Sequence, residues 1–338
     1  MKHFILVFVF LLSVNIFVPL IYYRTYYNPA NGQALNENSV SDFTDYSSDN
    51  NTPEEDSSKE TVYTLYNLEN HQLEEIDLVS FLVGSAACEM PALYEMEAIK
   101  AQMIACHSYY LYCKQNGVPH DDLNLSFDQR YMSKYASKER LQEYWGVSFD
   151  ANYQKFLRCA EEVKNLIVTF DNKAALTTYY AVSCGKTQTS AAEWGQDFEY
   201  LTCVDSENDV LSDNYLKVKT FTVQDVYDRL KTSFSGIDIS METPDKWFGD
   251  ISYNPSGYVD YINIGGVKVL GRDFRKYFEL NSSCFMVFFE DNEFSIATKG
   301  YGHGVGMSQF GANQLSQQGK SYKDILLHYY PGTDISQL

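Results

Sequence analysis

The sequence lacks the residue patterns of several large protein classes. It has 26 Lys and Arg residues against 45 Asp and Glu residues, and no segment forms a basic stripe, which argues against a nucleic-acid-binding protein. It contains no C-x-x-C pair and no H-E-x-x-H segment, so the usual spacings of metal ligands are absent. A phosphate-binding loop of the form G-x-x-x-x-G-K-S/T is also missing. These absences exclude the nucleic-acid, metal and nucleotide sites that have well-defined sequence patterns.

The seven cysteines are scattered, and their odd number leaves at least one free thiol in a monomer. Buried free thiols, which behave as small apolar groups, are the favoured interpretation for most of them. One or two disulfides are compatible with an extracytoplasmic protein, and Cys184 with Cys203 is the preferred pair. A nucleophilic Cys184 would need His303 or His107 as its base, and this alternative is disfavoured.

Charged residues are missing from residues 4–23, and this run is almost wholly apolar. A helix of about 20 residues spans a hydrocarbon core of ~30 Å. A cleaved signal peptide would have a shorter apolar region and a small-residue exit, which this sequence does not show. The pattern favours an uncleaved transmembrane anchor over residues 4–23, with residues 1–3 as a cytoplasmic stub. We therefore expect a single-pass protein of the cell membrane whose remaining residues are extracytoplasmic.

The anchor is followed by an acidic stretch that cannot bury much apolar surface. Eight acidic residues and one lysine lie between Asn31 and Glu60, among many Ser and Asn residues. Such a composition predicts a disordered linker, which we place over residues 24–62. Residues 63–338 are then the folded domain, which is large enough for a substantial core.

The folded region combines helical and strand patterns. Apolar residues recur at intervals of three and four over Tyr94–Asn116, which predicts a long helix, and shorter helices are predicted over 76–87, 152–166, 222–230, 272–278, 308–318 and 322–329. Alternation over 258–264, followed by Gly265-Gly266 and by residues 267–270, predicts a hairpin, and residues 284–298 predict another. The expected fold is α+β, with helices and antiparallel hairpins around a substrate groove.

The most informative stretch runs from Gly300 to Gln309, where four glycines in seven residues surround His303. Glycine clusters of this kind mark backbone with positive φ or close approach to a ligand. A strand, a glycine turn and a helix N-terminus would present N–H groups and an imidazole at one place. We therefore predict a binding or catalytic site here, although a tight turn with a surface histidine fits the same pattern.

Three other residues are candidates for chemistry. Glu89 follows an apolar run and precedes Pro91, which breaks the chain between two helices, so a partly desolvated carboxylate could hold and release a proton there. An exposed glutamate at a helix end is an equally good interpretation. His107 on the long helix is more often a structural residue than a catalyst, and Tyr180 offers a hydroxyl before a loop.

Several segments together resemble the stage II sporulation protein D family of spore-forming bacteria. They are Ala87-Cys88-Glu89-Met90-Pro91, Glu97-Ala98-Ile99-Lys100-Ala101-Gln102, Ser183-Cys184-Gly185-Lys186-Thr187, residues 200–206, residues 302–312 and residues 328–333. They occur in the family's order over roughly residues 76–335, behind the expected anchor. Glu89-Met90-Pro91 alone is weak, but the set is highly specific.

The resemblance implies a peptidoglycan lytic transglycosylase in which Glu89 is the catalytic acid and base. Glu89 would protonate the glycosidic oxygen between N-acetylmuramic acid and N-acetylglucosamine and then accept the proton of the C6 hydroxyl, which closes a 1,6-anhydro ring. The residues assigned to holding the sugars are His303, Ser308, Gln309, Gly302, Gly304, Tyr180 and His107. The implied partners are peptide-stripped glycan strands, a cell-wall amidase and membrane proteins of the engulfment complex.

Two departures from the family pattern bear on this prediction. The family commonly has an arginine where this chain has His107, and the two residues are not interchangeable at a polar clamp. Some members carry a zinc-binding stretch after the long helix, of which only His120 remains here, so we expect no metal and no cofactor. A wall-binding module that enhances an amidase, and a hydrolase that leaves reducing ends, stay open as alternatives.

Overall fold

The computed structural model describes residues 62–67, 72–116 and 135–338, which all lie in one unit of the chain, Ser58–Leu338. The predicted stub, anchor and most of the predicted linker fall outside these residues, as does the region around His120. None of the helices in the described part is long and apolar enough to cross a membrane. The boundaries proposed for residues 1–62 therefore stay predictions.

The α-helices of the described residues largely follow the predicted pattern. They are α1 (Leu78–Glu89), α2 (Met96–Asn116), α3 (Lys138–Trp145), α4 (Phe149–Val163), α5 (Ser190–Trp194), α6 (Val223–Ser233), α7 (Gly271–Tyr277), α8 (Gln309–Gln317) and α9 (Tyr322–Tyr329). Side chains cap several of their N-termini, and α6 and α9 begin with complete capping boxes, at Thr222 with Asp225 and at Ser321 with Asp324.

Two predicted helix starts were wrong. The first helix begins at Leu78 because the Asp77 carboxylate accepts a hydrogen bond of 2.9 Å from the Ser80 amide and so caps it. The helix α4 begins at Phe149 and not at residue 152, because a 3₁₀ turn over Gly146–Ser148 leads directly into it. Asp150 therefore lies in the first turn, where the positive end of the helix dipole stabilises a carboxylate.

The strands form small sheets that are mostly antiparallel. They are β1 (Val62–Asn67), β2 (Gln72–Asp77), β3 (Leu166–Phe170), β4 (Lys173–Ala174), β5 (Tyr179–Tyr180), β6 (Leu216–Thr222), β7 (Phe248–Tyr253), β8 (Val259–Ile264), β9 (Val267–Leu270), β10 (Phe285–Glu290), β11 (Glu293–Lys299), β12 (Met307–Ser308) and β13 (Asp334–Gln337). The sheet orders are β1-β2, β13-β3-β4, β7-β8-β9 and β10-β11-β6, and β12 pairs with β5 in parallel. The α+β prediction is confirmed, while the substrate groove stays a prediction.

Two clusters of buried apolar residues organise the described part of the chain. The first surrounds α2, whose side chains from Ala98 to Tyr110 are buried, and it includes residues of α1, α4, α8 and α9. The second lies between the sheets β7-β8-β9 and β10-β11-β6, with α6 and α7 packed on them. Burial of this apolar surface is the main force that holds each cluster together. The candidate site belongs to the first cluster.

Candidate active site

Glu89 is the last residue of α1, and its carboxylate is half-buried. The chain leaves the helix at Met90, whose amide still donates to the Ala86 carbonyl at 2.9 Å, and Pro91 then prevents the helix from continuing. The side-chain amide of Gln309 donates to Glu89 Oε2 at 3.4 Å. The structure thus brings together two predicted site residues from distant parts of the chain.

Gln309 connects this carboxylate to the interior of the protein. It is the first residue of α8, and its Nε2 also contacts Gln102 Oε1 at 3.4 Å. The Gln102 amide in turn donates to Cys106 Sγ at 3.3 Å, one helical turn along α2, and the Cys106 thiol donates to the Tyr179 hydroxyl at 3.5 Å. Gln102 and Cys106 are fully buried, so this chain of contacts fixes the side of Glu89 that faces the core.

The Tyr179 hydroxyl lies within electrostatic range of Glu89. Burial raises the pKa of Tyr179 well above its ordinary value, and the proximity of Cys106 and the negative charge of Glu89 add to the rise. Tyr179 therefore stays protonated at physiological pH. Its backbone carbonyl accepts a contact of 3.1 Å from His303 Nε2, so Tyr179 joins the Glu89 side of the site to the glycine loop.

The glycine loop has the backbone conformation that the sequence predicts. Gly300, Gly302, Gly304 and Gly306 all have positive φ, between 80° and 120°. The loop also packs closely, since a Cβ atom on Gly306 would lie 2.0 Å from the Thr178 carbonyl oxygen and one on Gly302 would lie 2.5 Å from Tyr180 Cβ. Glycine is needed there both for conformation and for space.

His303 is held by the backbone at both ring nitrogens. The Val305 amide donates to Nδ1 at 3.1 Å, so Nδ1 is an acceptor and Nε2 carries the proton that faces the Tyr179 carbonyl. The side chain is half-buried. The imidazole is therefore fixed in orientation, and what it can offer to a ligand is its ring surface.

Two aromatic rings flank this imidazole. The Tyr180 and Trp194 ring centroids each lie 5.4 Å from that of His303. Trp194, at the end of α5, is half-buried, whereas Tyr180 is 5% exposed. The Tyr180 hydroxyl points inward, lacks a hydrogen-bond partner among the described residues, and has a pKa that burial raises well above the ordinary value. Tyr180 thus supports the imidazole from inside.

Ser308 is fully buried and serves the fold of the site. Its hydroxyl caps α8 by accepting from the Gly311 amide at 3.2 Å, and it donates to Asp209 Oδ2 at 2.7 Å. The Ser183 amide donates to the same oxygen at 2.6 Å. Burial raises the pKa of Asp209, and these hydrogen bonds oppose the rise. Ser308 and Asp209 together fix the start of the helix that carries Gln309.

His107 does not lie on the surface of the site. Its side chain is 0% exposed, and Nε2 shares a hydrogen bond of 2.5 Å with the Tyr63 hydroxyl. Burial lowers the pKa of His107 to about 4, which a weaker interaction with the Leu166 backbone opposes, so the ring is neutral at physiological pH. A direct contact between His107 and a substrate is not possible in this conformation, and the structural interpretation of this residue fits better.

The sequence predicted some members of this arrangement and missed others. Gly304 belongs to its framework, because a Cβ atom there would lie 2.6 Å from the Tyr258 ring. Four residues of this arrangement were not predicted: Tyr179, Gln102, Trp194 and Asp209. Of these, Gln102 lies in one of the family motifs, but no role was predicted for it. In the described ranges, no group of three His, Cys, Asp or Glu side chains is placed to hold a metal ion.

Comparison with known proteins agrees with the motifs. A family model described as "Stage II sporulation protein" matches residues 66–170. The chain is 34% identical over 276 residues to stage II sporulation protein D of Bacillus amyloliquefaciens, and 32% identical over 276 residues to that of Bacillus subtilis (strain 168). Each of these alignments covers 81% of this chain and 78% of the relative.

A more distant relative has a different name. The chain is 23% identical over 308 residues to the amidase enhancer of Bacillus subtilis (strain 168), an alignment that covers 75% of this chain and 40% of that protein. The similarity to the enhancer thus extends over most of this chain but less than half of the longer relative.

Proposed function

The chain belongs to the stage II sporulation protein D family, and from this membership we propose that it is a membrane-anchored peptidoglycan lytic transglycosylase. Its substrate is the bond between N-acetylmuramic acid and N-acetylglucosamine in glycan strands stripped of their stem peptides. Its products carry 1,6-anhydro ends, and its setting is the remodelling of septal wall during engulfment of the forespore.

The observation that carries this proposal is the contact between Glu89 and Gln309. These residues come from two of the motifs that carry the family resemblance, and 220 positions separate them in sequence. A half-buried carboxylate, held on one side by an amide donor and within electrostatic range of a buried tyrosine, is suited to acid and base catalysis. A residue with a purely structural role would not need both solvent access and a fixed orientation.

The chemistry requires a single carboxyl group because the nucleophile belongs to the sugar. Glu89 in its acid form gives its proton to the glycosidic oxygen as the bond to C1 breaks. The resulting carboxylate takes the proton of the C6 hydroxyl while that oxygen attacks C1, and Glu89 returns to its acid form. A glycosidase that uses water needs a second carboxyl group at a defined distance.

The glycine loop and the aromatic group are the proposed sugar-binding surface. Trp194, half-buried against His303, offers an apolar ring face of the kind that packs on the C–H face of a pyranose. Gly302 and Gly304 let the loop backbone lie close to the buried side chains under the loop. Tyr180 and Ser308 support the loop on this buried side. Gln309 orients Glu89, and His107 acts through the fold of α2 rather than by contact.

A second function is favoured by the similarity to the amidase enhancer. In this alternative the same surface binds glycan strands and presents them to a partner amidase, with little cleavage by the chain itself. The position of His107 is relevant here, because no cationic group replaces the family arginine at this buried site. The two functions share the binding surface and differ in whether Glu89 is needed.

Mass spectrometry of products separates these functions. The full chain, Glu89→Gln and the control Glu95→Gln, which changes an exposed carboxylate six residues away, are incubated with peptide-free glycan strands. Anhydro-ended fragments from the wild type and Glu95→Gln, but not from Glu89→Gln, support the transglycosylase. Reducing ends that depend on Glu89 would indicate a hydrolase, and binding without cleavage by all three proteins would indicate the enhancer.

A further inference from the structure

Two of the seven cysteines lie next to each other, although 100 positions separate them in sequence. Cys184 follows β5, and Cys284 directly precedes β10. The Lys299 amide donates to the Cys284 carbonyl at 2.8 Å. Two residues further on, Tyr301 exchanges two backbone hydrogen bonds with Val182, of 2.7 and 3.0 Å. The end of β11 and the residues after it therefore contact the backbone near both cysteines.

The turn between β7 and β8, together with the start of β8, also contacts both cysteine segments. The Cys184 thiol donates to the Ser256 carbonyl at 3.4 Å, while the Val259 amide donates to the Ser283 carbonyl at 2.9 Å. On another side, the Tyr215 hydroxyl donates to the Cys184 carbonyl at 3.2 Å. Within this enclosure the two thiols hydrogen-bond to each other.

The chemistry of the two thiols differs in a way that suits an exchange reaction. Cys184 is half-buried, and the hydrogen bond from Cys284 is the largest cause of its lowered pKa, which burial opposes. Cys284 is 8% exposed, and the same hydrogen bond together with burial raises its pKa. Cys184 is thus the accessible thiol that more readily forms the attacking thiolate.

We propose that Cys184 and Cys284 form an intramolecular disulfide in the mature protein. The Cys184 thiolate attacks a disulfide oxidant, such as a thiol–disulfide oxidoreductase outside the membrane, and forms a mixed disulfide. The Cys284 thiolate then attacks the Cys184 sulfur and releases the second thiol of the oxidant. Two protons and two electrons leave the cysteine pair, and the oxidant is reduced to two thiols.

This disulfide differs from the Cys184–Cys203 pair that the sequence favoured. Cys184, Cys203 and Cys284 are all free thiols here, and Cys284 is the one that hydrogen-bonds to Cys184. A bond to Cys284 connects the segment after β5, beside the first apolar cluster, to the strand β10 of the second cluster. It also restrains Ser183, whose amide binds Asp209 beneath the glycine loop. Its formation in the cell rests on the extracytoplasmic location in the proposed function, because cytoplasmic thiols stay reduced.

The test uses the purified full chain and oxidised glutathione as the probe. After incubation, free thiols are alkylated, and the protein is digested without reduction for mass spectrometry. The expected result is a linked pair of peptides that contain Cys184 and Cys284. Alkylation or separate glutathionylation of both residues, or a link from Cys184 to Cys203, would overturn the proposal.

Thermal unfolding provides an independent measurement. A disulfide that closes a loop of about 100 residues stabilises the folded protein. Its reduction is therefore expected to lower Tm by roughly 10 °C. This difference between oxidised and reduced protein should disappear in Cys184→Ser and in Cys284→Ser and persist in Cys203→Ser. Equal differences in all three variants would contradict the assignment. Neither measurement depends on cleavage of glycan, so failure of the disulfide and failure of the proposed function are distinguishable.

Discussion

Gln309 is the residue whose proposed role is most specific to the geometry. Its amide donates to Glu89 and contacts Gln102, so it restrains the carboxylate on the side that faces the core. A hydrogen bond to a charged group contributes roughly 1.5–3 kcal/mol. We therefore expect Gln309→Leu to lower kcat by roughly ten- to hundredfold, with little change in the affinity for glycan strands.

The matched control for this prediction is Gln317→Leu, which makes the same change at an exposed position of α8. Single-turnover cleavage and strand binding are measured for both variants. An equal loss of binding and cleavage in Gln309→Leu would assign the residue to substrate contact, which would contradict the positioning role.

His107 makes stability depend on pH. Its folded-state pKa is about 4 against an ordinary 6.5, so between these values the unfolded chain binds a proton that the folded chain does not. Stability is therefore fully present above pH 6.5 and is lost as the pH falls toward 4. At pH 4.5 the loss from this residue is about 2–3 kcal/mol relative to pH 7.

Urea unfolding at the two pH values tests this expectation. His107→Gln keeps a polar side chain that can bond to Tyr63 and removes the titration, so it should lose about 2–3 kcal/mol less than the wild type on acidification. His328→Gln, at a half-buried position on α9, should behave as the wild type. Parallel behaviour of all three proteins would show that His107 does not titrate in this range.

Trp194 is expected to contribute to binding rather than to chemistry. In a Glu89→Gln background, in which the proposed function predicts no cleavage, Trp194→Ala should weaken the binding of glycan strands by roughly three- to tenfold. Trp194→Phe should restore much of the affinity, because it keeps an aromatic face. Tyr144→Ala removes an aromatic residue that is 74% exposed elsewhere and serves as the control. Unchanged affinity in Trp194→Ala would place the sugars away from this surface.

At the scale of elements, the glycine loop can be tested with two glycines of nearly the same conformation. Gly306 has φ +82° and Gly319 has φ +83°, but an added Cβ atom would lie 2.0 Å from the Thr178 oxygen at Gly306 and in open space at Gly319. Gly319→Ala should cost about 1–2 kcal/mol, from conformation alone. Gly306→Ala should cost roughly 1–3 kcal/mol more, because the loop must move away from Thr178.

The stability costs of the two substitutions are compared from the midpoints of urea unfolding, provided that the m-values of the variants are unchanged. Similar costs for the two alanine variants would mean that the loop moves without strain. The close contact with Thr178 would then not restrain the loop. A larger cost at Gly306, accompanied by loss of cleavage but not by general unfolding, would link the loop conformation to the site.

The elements that the sequence predicted best are those with local signals. Thr222 caps α6, Gly265-Gly266 turns the β8–β9 hairpin, and α9 has the predicted bounds Tyr322–Tyr329. The pairing of β6 with β11 joins residues 71 to 83 positions apart, which no local pattern encodes. The contact between Glu89 and Gln309 is equally non-local. Their motifs could be found in the sequence, but their proximity depends on how α1 and α8 pack against α2.

At the scale of the whole molecule, the chain separates a predicted membrane segment from a strongly acidic remainder. Its formal net charge is −19, and residues 31–60 contribute about seven of these negative charges, with eight acidic residues and one lysine. The proposed action on glycan strands requires the folded domain to lie outside the cell.

Cys88 offers a direct measurement of that location. Its thiol is exposed and adjacent to Glu89, so a membrane-impermeant maleimide should label it in intact cells that produce the full chain. Cys88→Ser should lose most of the label, and Cys203→Ser should keep it. A chain that lacks residues 4–23 should be labelled only after lysis, because without the apolar run it would not be exported. Labelling of the full chain only after lysis would place the domain in the cytoplasm, where it would meet neither glycan strands nor an oxidant for Cys184 and Cys284.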